Sequence, residues 1–281
     1  MNDAKAVADI RNVIAAGQMD TAELLLMNRA SSSDDPLIRV QCASTLLVIG
    51  RNAASEEVLE DLYDDLWDYE GDKLPIAEGM RGLGRADLAA KILEDEKEND
   101  PVLREYALSL SMIGRHDEAI EAIRKVNEPV LDDRITLIDS LSATGNHGEA
   151  MEISDELYRN DPGDYGVLRS RSAALISAGR DKEAVKFVRG LLKADKKSPN
   201  ANAATAYVMH VVGNTKAAGA YASNALKADQ THIGAMEVLA MSLMESGKFK
   251  EAGIVAGALN ESDPGNLTAV KILKERGGMN D

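Results

Sequence analysis

Side chains suited to chemistry are thinly spread along this chain. Its four histidines, His116, His147, His210 and His232, include no pair four residues apart, and its one cysteine is Cys42. Transition metals need three or four such ligands converging on one point, so the spacing offers no metal site. Gly247-Lys248 lacks both the upstream glycine and the following Ser or Thr of a phosphate-binding loop. GMRGLG at 79–84 has the wrong glycine order for a dinucleotide fingerprint, and no strand precedes it. A G-x-S-x-G elbow is absent as well. In NDPGDYG at 160–166 the acidic residues lack the alternating ligands of a calcium loop. Asp161 and Asp164 read instead as turn and cap residues. Nothing converges on a catalytic centre, so neither an enzyme nor a cofactor is expected.

Carboxylates supply most of the charge. The chain carries 47 Asp and Glu against 32 Lys and Arg, a net −15 at pH 7. Binding to nucleic acid or anionic membranes depends on neutralising phosphates with cations, so neither partner is expected. The densest run, residues 56–70, holds eight acidic residues and no basic one. Val58, Leu59, Leu62, Tyr63 and Leu66 recur there at helical spacing on the other face. That run reads first as a solvated helix face; the alternative, to which the neighbouring Trp67 adds a little, is a docking surface for a basic partner. No apolar run approaches the length of a membrane span, and MNDAKAVADIRNV has no basic-then-apolar leader. A single cysteine suits a reducing compartment, so a cytoplasmic location is expected.

A repeat must position whatever surface the chain presents. Gly17, Gly50, Gly84, Gly114, Gly145, Gly179, Gly213 and Gly247 are separated by 33, 34, 30, 31, 34, 34 and 34 residues. Four residues before each stands an apolar side chain, such as Leu46, Met80, Leu110 and Leu243. Five residues after comes Ala22, Ala89, Ala119, Ala150, Ala184, Ala218 or Ala252, with Ser55 in the second repeat. Seven before, the residue is mostly Ala or Ser. Small residues at fixed helical positions let two helices approach closely, and Gly supplies the left-handed residue that ends the first of them. Apolar spacing of three and four on both sides predicts helix, turn, helix in every unit. The two short intervals each lack about one helical turn, so second helices between about 84 and 145 are expected to be a turn shorter. Pro75, Gly79 and Gly82 fall inside the expected first helix of the third repeat, which on propensity is the weakest in the stack. After Pro264, NLTAVKILKERGG reads as one more helix covering the last repeat, basic at Lys271, Lys274 and Arg276 and ended by Gly277.

This pattern resembles the tetratricopeptide repeat family, whose period is 34 residues, from about Ala4 to Pro264. Pro101, Pro162 and Pro264 match the family's proline; its aromatic positions are mainly aliphatic here, and the second repeat lacks the alanine. The resemblance implies an all-α, right-handed α-solenoid of about eight repeats with a C-terminal capping helix, one domain over residues 1–281. It also implies that the first helices line a concave groove, with the residues ten, six and three before each glycine facing in. Those rows run from Val7 and Val40 through a polar centre of Arg81, Arg104, Asp139 and Arg169. They end on a soft apolar stretch of Tyr207, His210, Met241 and Met244. The Lys and Asn with which some relatives clamp a C-terminal carboxylate are missing from these rows, so that activity is not carried over. Arg104 and Arg169 read equally as partners of Asp139 or nearby acids, and the two methionines equally as core. The expected function is a non-enzymatic scaffold that binds a peptide or protein in the groove, with self-association as the alternative.

Overall fold

The structure, a computed structural model, describes residues 3–96, 99–263 and 265–277, with side chains described from residue 9 to residue 275. Pro264 therefore lies outside the described residues, as do the side chains of Val7 and Arg276. Among the described residues there are seventeen α-helices and no strand. The N-terminal repeats are α1 (Asp3–Ala15) with α2 (Met19–Ser31), α3 (Pro36–Val48) with α4 (Asn52–Asp65), and α5 (Leu74–Gly82) with α6 (Ala86–Leu93). The middle pairs are α7 (Asp100–Met112) with α8 (His116–Ile123), α9 (Leu131–Ala143) with α10 (His147–Asn160), and α11 (Tyr165–Ser177) with α12 (Asp181–Ala194). Then come α13 (Pro199–Val211) with α14 (Thr215–Ala228), α15 (Ile233–Glu245) with α16 (Phe249–Ser262), and the single α17 (Leu267–Gly277). The two second helices bounded by the short intervals, α6 and α8, have 8 residues each.

The turns form for a local reason. Each of the eight repeat glycines has a positive φ, between 71° and 82°, a conformation that a side chain would strain. It lets the next N–H turn back on the first helix. Arg51 donates to the Leu46 carbonyl at 2.8 Å, Arg85 to Met80 at 2.9 Å, and Asn214 to Met209 at 2.7 Å, with equivalent bonds in the other repeats. This 6→1 closure satisfies carbonyls that a helix end leaves open. The next helix then starts at once, and its small residue meets the first helix: Ala22, Ala89, Ala119, Ala150, Ala184, Ala218 and Ala252 are all 0% exposed. Ser55 holds that place in the second repeat, 3% exposed, and its hydroxyl donates to the Ala43 carbonyl at 2.8 Å across the helix pair. The polar atom is thus paired where burying it bare would cost about 1–3 kcal/mol.

The third repeat is better built than its composition promises. Pro75 stands in the first turn of α5, where its missing N–H costs nothing, and Gly82 is the last residue of the helix. Only Gly79 is interior, and a Cβ there would lie 2.5 Å from Val40 Cγ1 on α3. Ile76, Ala77 and Met80 are at most 1% exposed. Successive first helices pack side by side, α9 on α11, α11 on α13 and α13 on α15, whereas the second helices beyond α2 and α4 stand farther apart. The stack therefore curves with its first helices on the inside.

Candidate functional site

The concave face is built from those first helices, and all eight side chains expected to line it are half-buried. Its polar centre is a ladder that ties each first helix to the next. Arg81 on α5 donates through Nε to Glu105 Oε1 on α7 at 2.6 Å. Arg104 on α7 donates to Asp133 Oδ2 on α9 at 2.9 Å and to the Glu128 carbonyl at 2.6 Å. Arg169 on α11 donates to Asp139 Oδ2 on α9 at 2.9 Å. Arg104 and Arg169 thus pair with acids of neighbouring helices, as one of their two expected readings had it, and Arg81 does the same.

Charge state follows from these contacts. Glu105 is 6% exposed, and burial pushes its carboxyl up although Arg81 and Ser109 both donate to it. Burial works against the charge on Arg169, yet Asp139 outweighs it and keeps the guanidinium ionised. The Arg169 charge also acts on the phenols of Tyr165 and Tyr207, both held above the usual tyrosine range by burial. On α15, Glu237 accepts from Asn266 Nδ2 at 2.6 Å, and burial raises its carboxyl too. Asp139, Arg169, Tyr207, Glu237 and Asn266 thus run as one polar spine along the inner face.

Tyr165, Glu105 and Asp133 were missed as members of this surface, whereas Glu237, ten residues before Gly247, stands in an expected row. The signal for Asp133 was present, since it lies 29 residues after Arg104, as Arg169 lies 30 after Asp139, in each case close to one repeat; Glu105, 24 residues after Arg81, carried none. Tyr165 has a different signature. Its ring meets the His232 ring edge-on at 4.7 Å and covers Gly234, where a Cβ would collide with it. His232 caps α15 through Nδ1 to the Ala235 N–H at 3.3 Å, while its Nε2 lies 3.0 Å from Asn200 Oδ1.

The C-terminal end of the face is softer. Tyr207 and Met241 rest on the core shared by α11, α12, α13 and α14, and Met244 on the core of the last repeat. His210 Nδ1 stands 3.6 Å from Glu245 Oε1, beyond hydrogen-bond reach. The acidic run 56–70 occupies α4 and the short 3-10 turn Leu66–Asp68. Three of its acids are taken: Glu56 by Arg85 and Lys274, Glu60 by Arg85, and Asp65 by Arg39. Trp67 beside them is 85% exposed. Among the described residues no group of three His, Cys, Asp or Glu is arranged to hold a metal ion. No described helix is long and apolar enough to cross a membrane.

By period, turn glycine and buried alanine the repeats are tetratricopeptide-like. No family model matches the chain, and no curated protein matches it. Solved structures do align with it. A tetratricopeptide repeat protein from Parabacteroides merdae is 16% identical over 85% of this chain and 98% of its own, with a TM-score of 0.49. TTC0263, a thermophilic TPR protein of Thermus thermophilus, is 16% identical over 63% of this chain and 99% of its own, with a TM-score of 0.43. The APC/C hetero-tetramer Cut9–Hcn1 is 14% identical over 99% of this chain and 57% of its own, with a TM-score of 0.41.

Proposed function

We propose that the chain is a protein-interaction scaffold that takes a peptide segment or a folded partner on its concave face. The observation that carries this reading is the division of that face. Its centre is a ladder of paired charges that ties neighbouring first helices together, and its C-terminal end presents half-buried Tyr207, Met241 and Met244. Aromatic and methionine side chains of this kind anchor partners, because they offer large apolar area at low entropic cost and adapt to what they meet. Arg169 spends one of its donor nitrogens on Asp139, so an acidic group on the partner can share the same guanidinium. The partner is accordingly a segment with an apolar anchor and an acidic group beside it, and the chain acts by holding it rather than by chemistry.

Affinity capture from native lysate supplies the partner, and calorimetric titration tests the site. Tyr207→Ala with Met241→Ala is expected to weaken binding about thirtyfold, the equivalent of about 2 kcal/mol. Binding by the parent is expected to fall with salt, and the Arg169→Ala variant to lose much of that dependence. Arg104→Ala is a poor probe, since it strips the charge partner from Asp133, which is 3% exposed. Unchanged affinity in the Tyr207/Met241 pair, with loss on charge reversal of Glu57, Asp61, Asp64 and Asp68, would place the site on the acidic helix instead.

A further inference from the structure

In an open solenoid each unit touches only its neighbours. Here α17 departs from that rule. Ala269 and Ile272 are buried in the core of the last repeat beside Met236, Ala256 and Leu259. Val270, on another face of the same helix, is 3% exposed inside the core of the N-terminal repeats. Asn52 Nδ2 donates to the Lys274 carbonyl at 2.7 Å, and the Lys274 ammonium stands 2.5 Å from Glu56 Oε1. These partners are 222 and 218 residues apart in the chain. The backbones meet as well. A Cβ on Gly265 would lie 2.9 Å from the Gly82 carbonyl oxygen and closer still to its Cα, and one on Gly84 would lie 3.1 Å from Val270 Cγ1.

From this we infer that α17 is a reversible latch that shuts the solenoid into a ring and thereby sets the curvature of the concave face. Its reversibility follows from what holds it. Among the described residues the junction rests on Val270, on packing of α17 against α3, on one amide-to-carbonyl bond, one ion pair and a glycine-to-glycine approach, whereas apolar cores run from each repeat to the next. So small a contact opens without unfolding the repeats beside it. The ion pair is 30% and 36% exposed on its two sides, so salt screens it. Glu56 also accepts from Arg85 at 3.1 Å, which ties the seat of the latch to the turn of the third repeat.

The latch is testable with the full chain and no partner, so its failure is separate from failure of the concave-face reading. Carbodiimide coupling joins an amine to a carboxylate only where they touch. An equal mixture of unlabelled and nitrogen-15-labelled protein is coupled at low and high salt, digested and read by mass spectrometry. The expected product is a Glu56–Lys274 link within isotopically uniform chains. Its yield falls at least about threefold between roughly 0.05 M and 0.5 M salt, while the radius of gyration from X-ray scattering rises. Gly265→Val is expected to abolish the link with helical circular dichroism intact. Val270→Asp, which leaves both coupled groups and every glycine in place, is expected to do the same. Links between differently labelled chains would mean that α17 docks on a second copy and would overturn the ring. A missing link in the parent, or a yield and radius indifferent to salt and to both substitutions, would overturn the latch.

Discussion

Glu237 makes the state of the inner face measurable one residue at a time. Burial raises its carboxyl above the ordinary glutamate value even though Asn266 donates to it. The folded chain therefore keeps this proton at a pH where the unfolded chain has released it. Its contribution to stability is complete below the ordinary value and declines as pH rises from there through the raised folded value. Glu237→Gln preserves an acceptor for Asn266 and removes the ionisation. That variant is expected to be more stable than the parent at neutral pH, with the gap closing toward about pH 4, as read by denaturant titration at both pH values. Equal stability of the two chains at neutral pH would mean that the buried carboxylate carries no penalty. The spine around Glu237 was only partly legible in the sequence. The groove rows named Arg104, Arg169 and Asp139, but Asp133 sits two residues outside its row and Glu105 belongs to no row. Pairing opposite charges one repeat apart, rather than reading each row by itself, would have found Asp133, 29 residues from Arg104, but not Glu105, 24 residues from Arg81.

Among the elements, α5 shows how propensity misleads. Read alone, its glycines mark a weak helix; in the fold, Gly79 gives Val40 room, and the backbone of Gly82 is met closely by Gly265. Gly79→Ala gains about 1 kcal/mol in helix propensity but drives a methyl into a stiff β-branched neighbour, an overpacking cost of about 1–3 kcal/mol. The net effect is expected to be destabilising, and Val40→Ala in the same chain is expected to recover most of it in a double-mutant cycle by thermal melting. Gly190, inside α12, has nothing within 4 Å of where a Cβ would stand, so Gly190→Ala in the same assay is expected to stabilise by roughly 0.5–1 kcal/mol. The turn glycines, in contrast, were legible from spacing, because a positive φ at a fixed place in every unit leaves the chain little choice of residue. What the spacing could not carry was the close approach of glycines from distant repeats, since that contact depends on the summed curvature of the whole stack.

For the whole molecule, the apolar cores are strung end to end rather than pooled. One runs from Ile10 to Ile123, others follow around Ile138, Leu168 and Met236, and Val270 returns to the first. Such a chain is expected to unfold in more than one step. The first step belongs at the N-terminus, where α1 packs chiefly on α2. Native-state hydrogen exchange is expected to find α1 opening before α5, although composition alone ranks α5 weaker; faster exchange across 74–82 than across 9–15 would reverse that order. The repeat count and helix order were legible because each unit repeats the same local instructions. The closure of the ends was not, since no single repeat encodes it.

That closure bears on how such a chain can change in length. An open stack can gain or lose a unit by duplication or deletion, because every new unit finds the same neighbours as the old ones. Here the last helix must arrive at Asn52 and Glu56, and the turn before it at Gly82. One extra unit would carry it past its seat and one fewer would leave it short. The number of repeats is therefore fixed by geometry as a wheel fixes its spokes, and growth by whole repeats is closed to this chain unless it first gives up the contact between its ends.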